Sequence, residues 1–328
     1  VTPIDRKKET TMPTTSGTMK AIRAHERGGP EQLVYEDAPV PGDPQGDDVL
    51  VRVGAASITF DELTWDETWQ AGGVDRTPIV PSHEFAGVVA VAGPGAAGFA
   101  EGDAVFGLVP FDRDGAAAEY VLVPASSIAH KPDGVADAVA AAAVLPALTA
   151  MEALDDHLGV APGGRLLVRG GTGGVGAFVT QFAHARGIRV GVTVRSADAE
   201  ERARKLGADE VFVGDEPEVP TGAFDAAIDA AGAGTPGWLY RAVRRGGRVI
   251  TLQEAPDAAL AEELGVDAGF FVVSASTAAL ERLGETIAAG DVEVAIARTF
   301  PLAEGRAAYE SRGAGGAPGK TVLLVASV

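Results

Sequence analysis

Val168-Arg169-Gly170-Gly171-Thr172-Gly173-Gly174-Val175-Gly176 is the stretch whose reading decides the fold of this 328-residue chain. The residues leading into it, Arg165–Arg169, form a short apolar run that reads as a strand. Those leading out, Val175–Arg186, carry the spacing of a helix. A strand that turns through glycines into a helix leaves unpaired backbone N–H groups at a positive helix end, with no side chains in front of them. Such a place suits a diphosphate. In a chain with 43 glycines the same string also reads as a plain turn. Context separates the two readings: strand–helix alternation continues on both sides, which favours a dinucleotide site. Gly171, Gly174 and Gly176 are the candidates for tight turning and close contact, with Thr172, Gly173 and Val175 completing the loop.

Working outward, the downstream sequence alternates regularly. Arg189–Val194 reads as a strand, Ala199–Leu206 as a helix closed by Gly207, and Glu210–Val213, Ala226–Asp229 and Arg248–Leu252 as further strands. Trp238–Arg245 reads as a helix before the last of these; Phe270–Val273 and the helix Thr277–Ala289 follow. This spacing predicts a parallel, doubly wound sheet with helices on both faces. Upstream, from Met19 to about Asp133, the signals are short strands with turn punctuation: Asp48–Ala56, Phe85–Ala92, Asp103–Val109 and Ala117–Val123. That part reads as a compact β-barrel. Between the two lies a long helical stretch, Ala138–Leu158, expected to break or kink at Pro146. At the chain end Pro301–Arg312 suggests a helix. Thr321–Val325 suggests a strand that returns to the first domain, since it cannot join the parallel sheet by a hairpin. The expected class is therefore α/β: a barrel domain over 19–135 and 295–328, a doubly wound domain inserted over 136–294, and a disordered polar tail over 1–18.

Composition removes several function classes. Zero cysteines exclude disulfides, Cys-ligated zinc, iron–sulfur clusters and a thiol nucleophile. A net charge of −19 opposes non-specific nucleic-acid binding. No apolar run is expected to reach the roughly 18–20 residues of a membrane span, and the N-terminus lacks the apolar core of a secretion signal. A soluble cytoplasmic protein is the expectation.

The choice of dinucleotide is read at the end of the second strand. NAD sites there carry an acid for the ribose hydroxyls. Here Thr193-Val194-Arg195-Ser196 reaches no acid until Asp198. Arg195 and Ser196 supply a guanidinium fork and a hydroxyl where a 2′-phosphate would lie, which points to NADPH. The alternative is that Arg195 is a solvated surface residue.

These residues, in this order, resemble the medium-chain dehydrogenase/reductase superfamily, and within it the zinc-independent quinone oxidoreductase-like branch. The likeness runs through Asp48–Ala56, Pro81–Val89, Ala118–Pro124, Leu148-Thr149-Ala150, Gly170–Gly176, Leu206–Asp209 and Gly319–Leu323. It implies a GroES-like catalytic domain with an inserted Rossmann domain and a site in the cleft between them. It also implies hydride transfer from NADPH to a quinone, enone or enoyl compound, and a homodimer built on the sheet edge at Phe270–Val273. By the same resemblance Thr149, Ala231, Gly232, Leu252 and Phe271 lie along the cofactor, and Thr59, Asp61 and His83 lie at the cleft mouth. Related alcohol dehydrogenases hold catalytic zinc with two cysteines and a histidine. Here His83 stands in the histidine place, but Thr59 and about Leu145 stand where the cysteines belong, so no metal is expected. A substitute set of Asp61, His83 and Glu84 is the alternative.

Several of these side chains have two readings. Asp61 either relays a proton, if burial raises its pKa, or caps a short helix over Leu63–Thr68 with Glu62. His83 either bonds substrate or helps to fix the strand that follows, as Glu84 is expected to do. Phe60, Trp65 and Trp69 either wall an apolar substrate pocket or pack the core. Two other functions stay open: an alcohol dehydrogenase with an atypical metal site, and a protein that binds NADPH without turnover.

Overall fold

The computed structural model describes residues 17–232, 234–312 and 317–325. The first described element is β1, Thr18–Ala24; residues 1–16 of the expected tail lie outside the described residues. The order continues β2 (Leu33–Pro39), β3 (Asp48–Ile58), β4 (Glu84–Ala92), β5 (Ala104–Leu108), β6 (Tyr120–Pro124) and β7 (Ile128–His130). Helix α1 (Asp137–Glu152) leads into β8 (Arg165–Arg169), α2 (Gly174–Ala185), β9 (Arg189–Val194), α3 (Glu200–Lys205), β10 (Glu210–Val213) and β11 (Phe224–Asp229). Then follow α4 (Gly237–Ala242), β12 (Val243–Thr251), α5 (Ala258–Leu264), β13 (Asp267–Phe270), α6 (Thr277–Ala289), β14 (Ile296–Pro301), α7 (Gly305–Glu310) and β15 (Lys320–Leu324).

Two sheets organise these elements. Strands β8 to β13 form a six-stranded parallel sheet in the order β10-β9-β8-β11-β12-β13. The order reverses between β8 and β11, and a doubly wound sheet binds ligands in the crevice at that switch point. The second sheet runs β14-β15-β3-β4-β5-β7, with β6 also paired to β3. Strand β15 lies antiparallel to β3, with Val322 opposite Ser57 and Leu323 opposite Ala56. The end of the chain thus completes the GroES-like sheet that its beginning started.

Helix α1 packs on the barrel sheet on one side and on α2 and α6 on the other. The span Asp137–His157 is 21 residues with a hydropathy of 1.5, long and apolar enough to cross a bilayer by composition. That corrects the expectation that no run reaches this length. Its apolarity has another outlet, because 72% of the window is buried inside the protein. Alanines 140–143 and Ala147 are buried in the core that the helix shares with residues of both sheets.

Three local expectations need correction. Pro146 does not break α1; the N–H of Leu145 just before it donates to the Glu84 carboxylate (3.0 Å), satisfying that group from outside the helix. The helix expected over Trp238–Arg245 ends at Ala242, where Val243 begins β12. The edge strand is Asp267–Phe270 instead of Phe270–Val273, because β12 stops at Thr251 and Phe270 is the last residue with a partner to pair.

Candidate active site

The register of the parallel sheet puts one row of residues at its carboxyl edge: Thr193, Arg169, Asp229, Thr251 and Phe270, on five adjacent strands. The glycine loop opens from this row. Gly170 adopts a φ of +76°, the left-handed turn that lets the chain leave β8, and its N–H donates to the Thr193 hydroxyl (3.3 Å).

The glycines beyond it divide by direction. A Cβ on Gly171 would stand 2.5 Å from Val192, and one on Gly176 only 2.1 Å from the Gly170 carbonyl, so these two serve the packing of helix on strand. A Cβ on Gly173 would meet only the Gly170 carbonyl, at 3.2 Å, and one on Gly174 would meet nothing within 4 Å. Of the three glycines expected to serve turning and contact, Gly174 alone faces open space. That is where a diphosphate has room to approach the N–H groups of α2.

At the end of β9, Arg195 and Ser196 are exposed, and the cap position held by Ser196 makes no side-chain hydrogen bond. Across the switch point, Ala231 packs over Gly170, and Gly232 (φ +72°) lies beside Gln253, the residue after Leu252. Thr149 donates its hydroxyl to the Leu145 carbonyl (2.7 Å), which leaves only its lone pairs for another partner. Phe271 stacks on His157, ring centroids 4.2 Å apart, so one face of its ring is already occupied.

On the barrel side the chain leaving β3 carries two separate clusters. In the first, buried Glu84 accepts from Lys320 Nζ (2.5 Å), from the Thr59 hydroxyl (3.1 Å) and from the Leu145 N–H. Lys320 Nζ also donates to Thr59 Oγ1 (3.1 Å). One carboxylate thereby ties β4 to β15, to the β3 exit and to α1, in line with the structural reading of Glu84.

The second cluster surrounds Glu62, which is 0% exposed. Tyr309 donates to its Oε1 (2.5 Å) and the Ser82 N–H to its Oε2 (2.8 Å), while His83 Nε2 lies 4.0 Å away. Burial raises the Glu62 carboxyl to about 7, against the lowering by Tyr309 and Ser82. Burial, with Arg76 nearby, holds His83 down at about 4. Ser82 sits at φ +68°, the one non-glycine residue at positive φ among those described.

These placements revise the readings of the cleft mouth. Asp61 forms no side-chain cap; its carboxylate pairs with Arg312 near the end of α7. The helix expected over Leu63–Thr68 is two short turns, Glu62–Thr64 and Asp66–Trp69. The burial-raised acid is the neighbouring Glu62. His83 is 4% exposed, edge-on to Phe111, and does not open onto solvent. The aromatic wall is divided: Trp69 is core, Trp65 meets Phe111, and Phe60 lines a groove of about 410 Å³ with Leu63 and Tyr309. Asp61, His83 and Glu84 do not converge, and no group of three potential metal ligands exists among the described residues.

Sequence reasoning missed Glu62, Tyr309, Lys320, Arg169 and Asp229 as members of these clusters. Lys320 was within a motif, but its partner lies 236 residues away. Tyr309 and Glu62 stand 247 residues apart, and nothing local announces their bond.

The opposed shifts of Glu62 and His83 give a pH prediction. Glu62 is raised on folding, so its contribution is complete below pH 4.5 and lost as pH rises through about 7. His83 is depressed on folding, so its contribution is present above pH 6.5 and lost as pH falls through about 4. Between pH 4.5 and 6.5 the two slopes cancel. Relative to the parent, Glu62→Gln should make stability fall on acidification below pH 6.5, by about 1.4 kcal/mol per pH unit. His83→Gln should make it rise by a similar slope from pH 7 to 4.5. Denaturant titrations across this range read both, and parallel pH curves for parent and variants would refute the assignment.

Comparison with known proteins agrees with this layout. A family model described as an alcohol dehydrogenase GroES-like domain matches residues 45–133, and one described as a zinc-binding dehydrogenase matches residues 206–323. The mouse (Mus musculus) NAD(P)H oxidoreductase RTN4IP1, mitochondrial, is 30% identical, over 85% of this chain and 82% of its own length. Its mitochondrial designation lends no support to the cytoplasmic location expected here. The tomato (Solanum lycopersicum) 2-methylene-furan-3-one reductase is 30% identical, over 93% of this chain and 79% of its own length. The quinone oxidoreductase from Coxiella burnetii superposes with a TM-score of 0.83 at 25% identity, covering 94% of this chain and 100% of that one. The glycine loop at the switch point, the barrel closed by the chain's own end and relatives matched over most of their length lead to one conclusion: the chain belongs to the medium-chain dehydrogenase/reductase superfamily, in its quinone oxidoreductase-like branch, and is an NAD(P)H-dependent oxidoreductase.

Proposed function

We propose that the chain is a zinc-independent reductase that takes hydride from NADPH and gives it to a conjugated acceptor, a quinone, enone or enoyl compound. The observation that carries this reading is the fate of the polar groups at the barrel mouth. Where a zinc enzyme needs soft ligands this chain has no cysteine. Its nearest carboxylates are committed, Glu84 to Lys320, Thr59 and Leu145, and Asp61 to Arg312. These residues do not fit a zinc ion. Without a Lewis acid the acceptor must already be polarised, and conjugation supplies that by spreading the incoming charge onto oxygen.

NADPH, when bound, supplies the hydride; the residues supply place and surroundings. The N–H groups around Gly173 and Gly174 would hold the diphosphate, and Arg195 with Ser196 would hold the 2′-phosphate. The Thr149 lone pairs would be free to accept from the carboxamide. Ala231, Gly232 and Leu252 would border the nicotinamide half, with Phe271 beside them. Phe60, in its groove with Leu63 and Tyr309, bounds the apolar side of the acceptor. The Thr59 hydroxyl, whose hydrogen is given to Glu84, orders the cleft mouth instead of donating to substrate. We further propose a homodimer formed on the β13 edge, where Phe270 and Val272 are 45% and 60% exposed.

The test is an acceptor panel followed through the near-ultraviolet absorbance of reduced nicotinamide, with and without a chelator. Turnover of quinones or enones that the chelator leaves unchanged is expected. Reduction of simple ketones only after zinc is added would favour the alcohol dehydrogenase reading, for which the zinc-binding dehydrogenase match speaks. Tight NADPH binding with no turnover across the panel would make the chain a binding protein.

A further inference from the structure

Arg169 is the last residue of β8, immediately before the glycine loop. Its Nη1 shares its two hydrogens among three acceptors: Asp229 Oδ2 (2.7 Å), the Gly232 carbonyl (3.2 Å) and the Gly234 carbonyl (2.9 Å). The Asp229 side chain is 3% exposed, and its remaining valences are filled from the same segment. Oδ1 accepts the Ala231 N–H (3.1 Å), and Oδ2 accepts the Thr235 hydroxyl (2.8 Å). A buried carboxylate demands such compensation. The partners here are chosen from one place, the chain that leaves β11. That segment is tied in turn to the end of β12, since the Thr235 N–H donates to Glu254 (2.6 Å) and the Thr251 hydroxyl to the Glu254 carbonyl (2.6 Å).

The position of this knot matters because the sheet binds its ligand across the switch point. The glycine loop and the end of β9 lie on the adenosine side, and the ends of β11 and β12 lie on the other, where the nicotinamide half must pass. Arg169 belongs to the first side by sequence and holds the second side by hydrogen bonds. Its guanidinium crosses from β8 to its register partner on β11, at the switch point where the two halves of a dinucleotide site must keep a fixed separation.

We propose that Arg169, through its ion pair with Asp229, is a positioning residue that sets the residues after β11 at the distance from the glycine loop that an intact dinucleotide requires. The inference rests on reading the glycine loop as a nicotinamide dinucleotide site. It predicts a selective defect: ligands that occupy only the adenosine side are indifferent to the knot, and ligands that bridge both sides depend on it.

The experiment compares dissociation constants for NADPH, NADH and adenosine 2′,5′-bisphosphate in the full chain and its variants. In Arg169→Met the constants for both dinucleotides are expected to rise on the order of tenfold, with that for the bisphosphate unchanged. Asp229→Asn, which keeps the shape of the pair and removes its charge, is expected to show the same selective loss, so the test survives if one variant fails to fold. Arg169→Lys should restore part of the dinucleotide affinity, as it returns the charge and its donors on a shorter side chain. Equal weakening of all three ligands would reduce the pair to general support of the sheet edge and overturn the proposal, as would unchanged dinucleotide binding. A parent protein that binds the bisphosphate and neither dinucleotide would bring down the reading of the site together with the proposal.

Discussion

Gly174→Val should leave the protein folded and remove its affinity for reduced nicotinamide nucleotides, while Gly176→Ala should damage the fold. The difference follows from where each missing side chain would point. Nothing lies within 4 Å of a Cβ on Gly174, so the free protein tolerates one, at the start of a helix where its φ is ordinary. The same volume then stands in the approach to the α2 N–H groups, and a diphosphate cannot come within hydrogen-bonding distance. A rise in the NADPH dissociation constant on the order of a hundredfold is expected, from lost charge-assisted hydrogen bonds worth roughly 1.5–3 kcal/mol each. A Cβ on Gly176 would lie 2.1 Å from the Gly170 carbonyl, and backbone cannot swing aside as a side chain can. Overpacking at a helix–strand contact costs about 1–3 kcal/mol, occasionally more, so Tm should fall visibly in the absence of ligand. Thermal melts and fluorescence titrations measure the two effects separately. Gly174→Val binding NADPH as the parent does would mean that the diphosphate does not lie there.

The second large effect concerns the choice between nucleotides. Arg195→Ala should raise KM for NADPH by roughly tenfold to a hundredfold, the worth of a guanidinium–phosphate contact, and leave KM for NADH nearly unchanged. Arg195 is exposed at the end of β9 with no acid beside it until Asp198. A 2′-phosphate is the ligand group that such an arrangement favours, and NADH lacks it. Kinetics with both cofactors decide the matter. Equal losses would return Arg195 to the solvated surface and leave the cofactor choice open.

How far the site was legible depended on the sequence distance over which each part is built. The glycine loop is local: strand, turn and helix occupy consecutive residues, so their steric demands are written side by side. Arg195 was legible as an exposed side chain for the same reason, since it directly follows a strand that pattern alone identifies. The edge strand was misplaced because a run of four apolar residues looks like a strand wherever it lies, whereas pairing ended with the neighbouring strand at Thr251. Pro146 was read as a break because proline ordinarily costs a helix its continuity. Glu84, 61 positions from Leu145, accepts the N–H just before it.

The sequence by itself determined the class of fold, the return of the last strand to the first domain, and the exclusion of cysteine chemistry, because periodicity, glycine placement and composition act through neighbours or through the whole. The tertiary structure alone decided which acid is buried. Asp61 and Glu62 are adjacent and chemically alike, yet one meets Arg312 at the surface and the other meets Tyr309 and Ser82 in the core. It alone decided that Arg169 reaches across the switch point to Asp229, and that a helix apolar enough to cross a bilayer is shielded by the barrel sheet and by α2 and α6. Each of these is settled by which distant segment fills the space beside a side chain. Dielectric surroundings and hydrogen-bond partners are properties of that space, and no stretch of sequence contains them until the chain has folded.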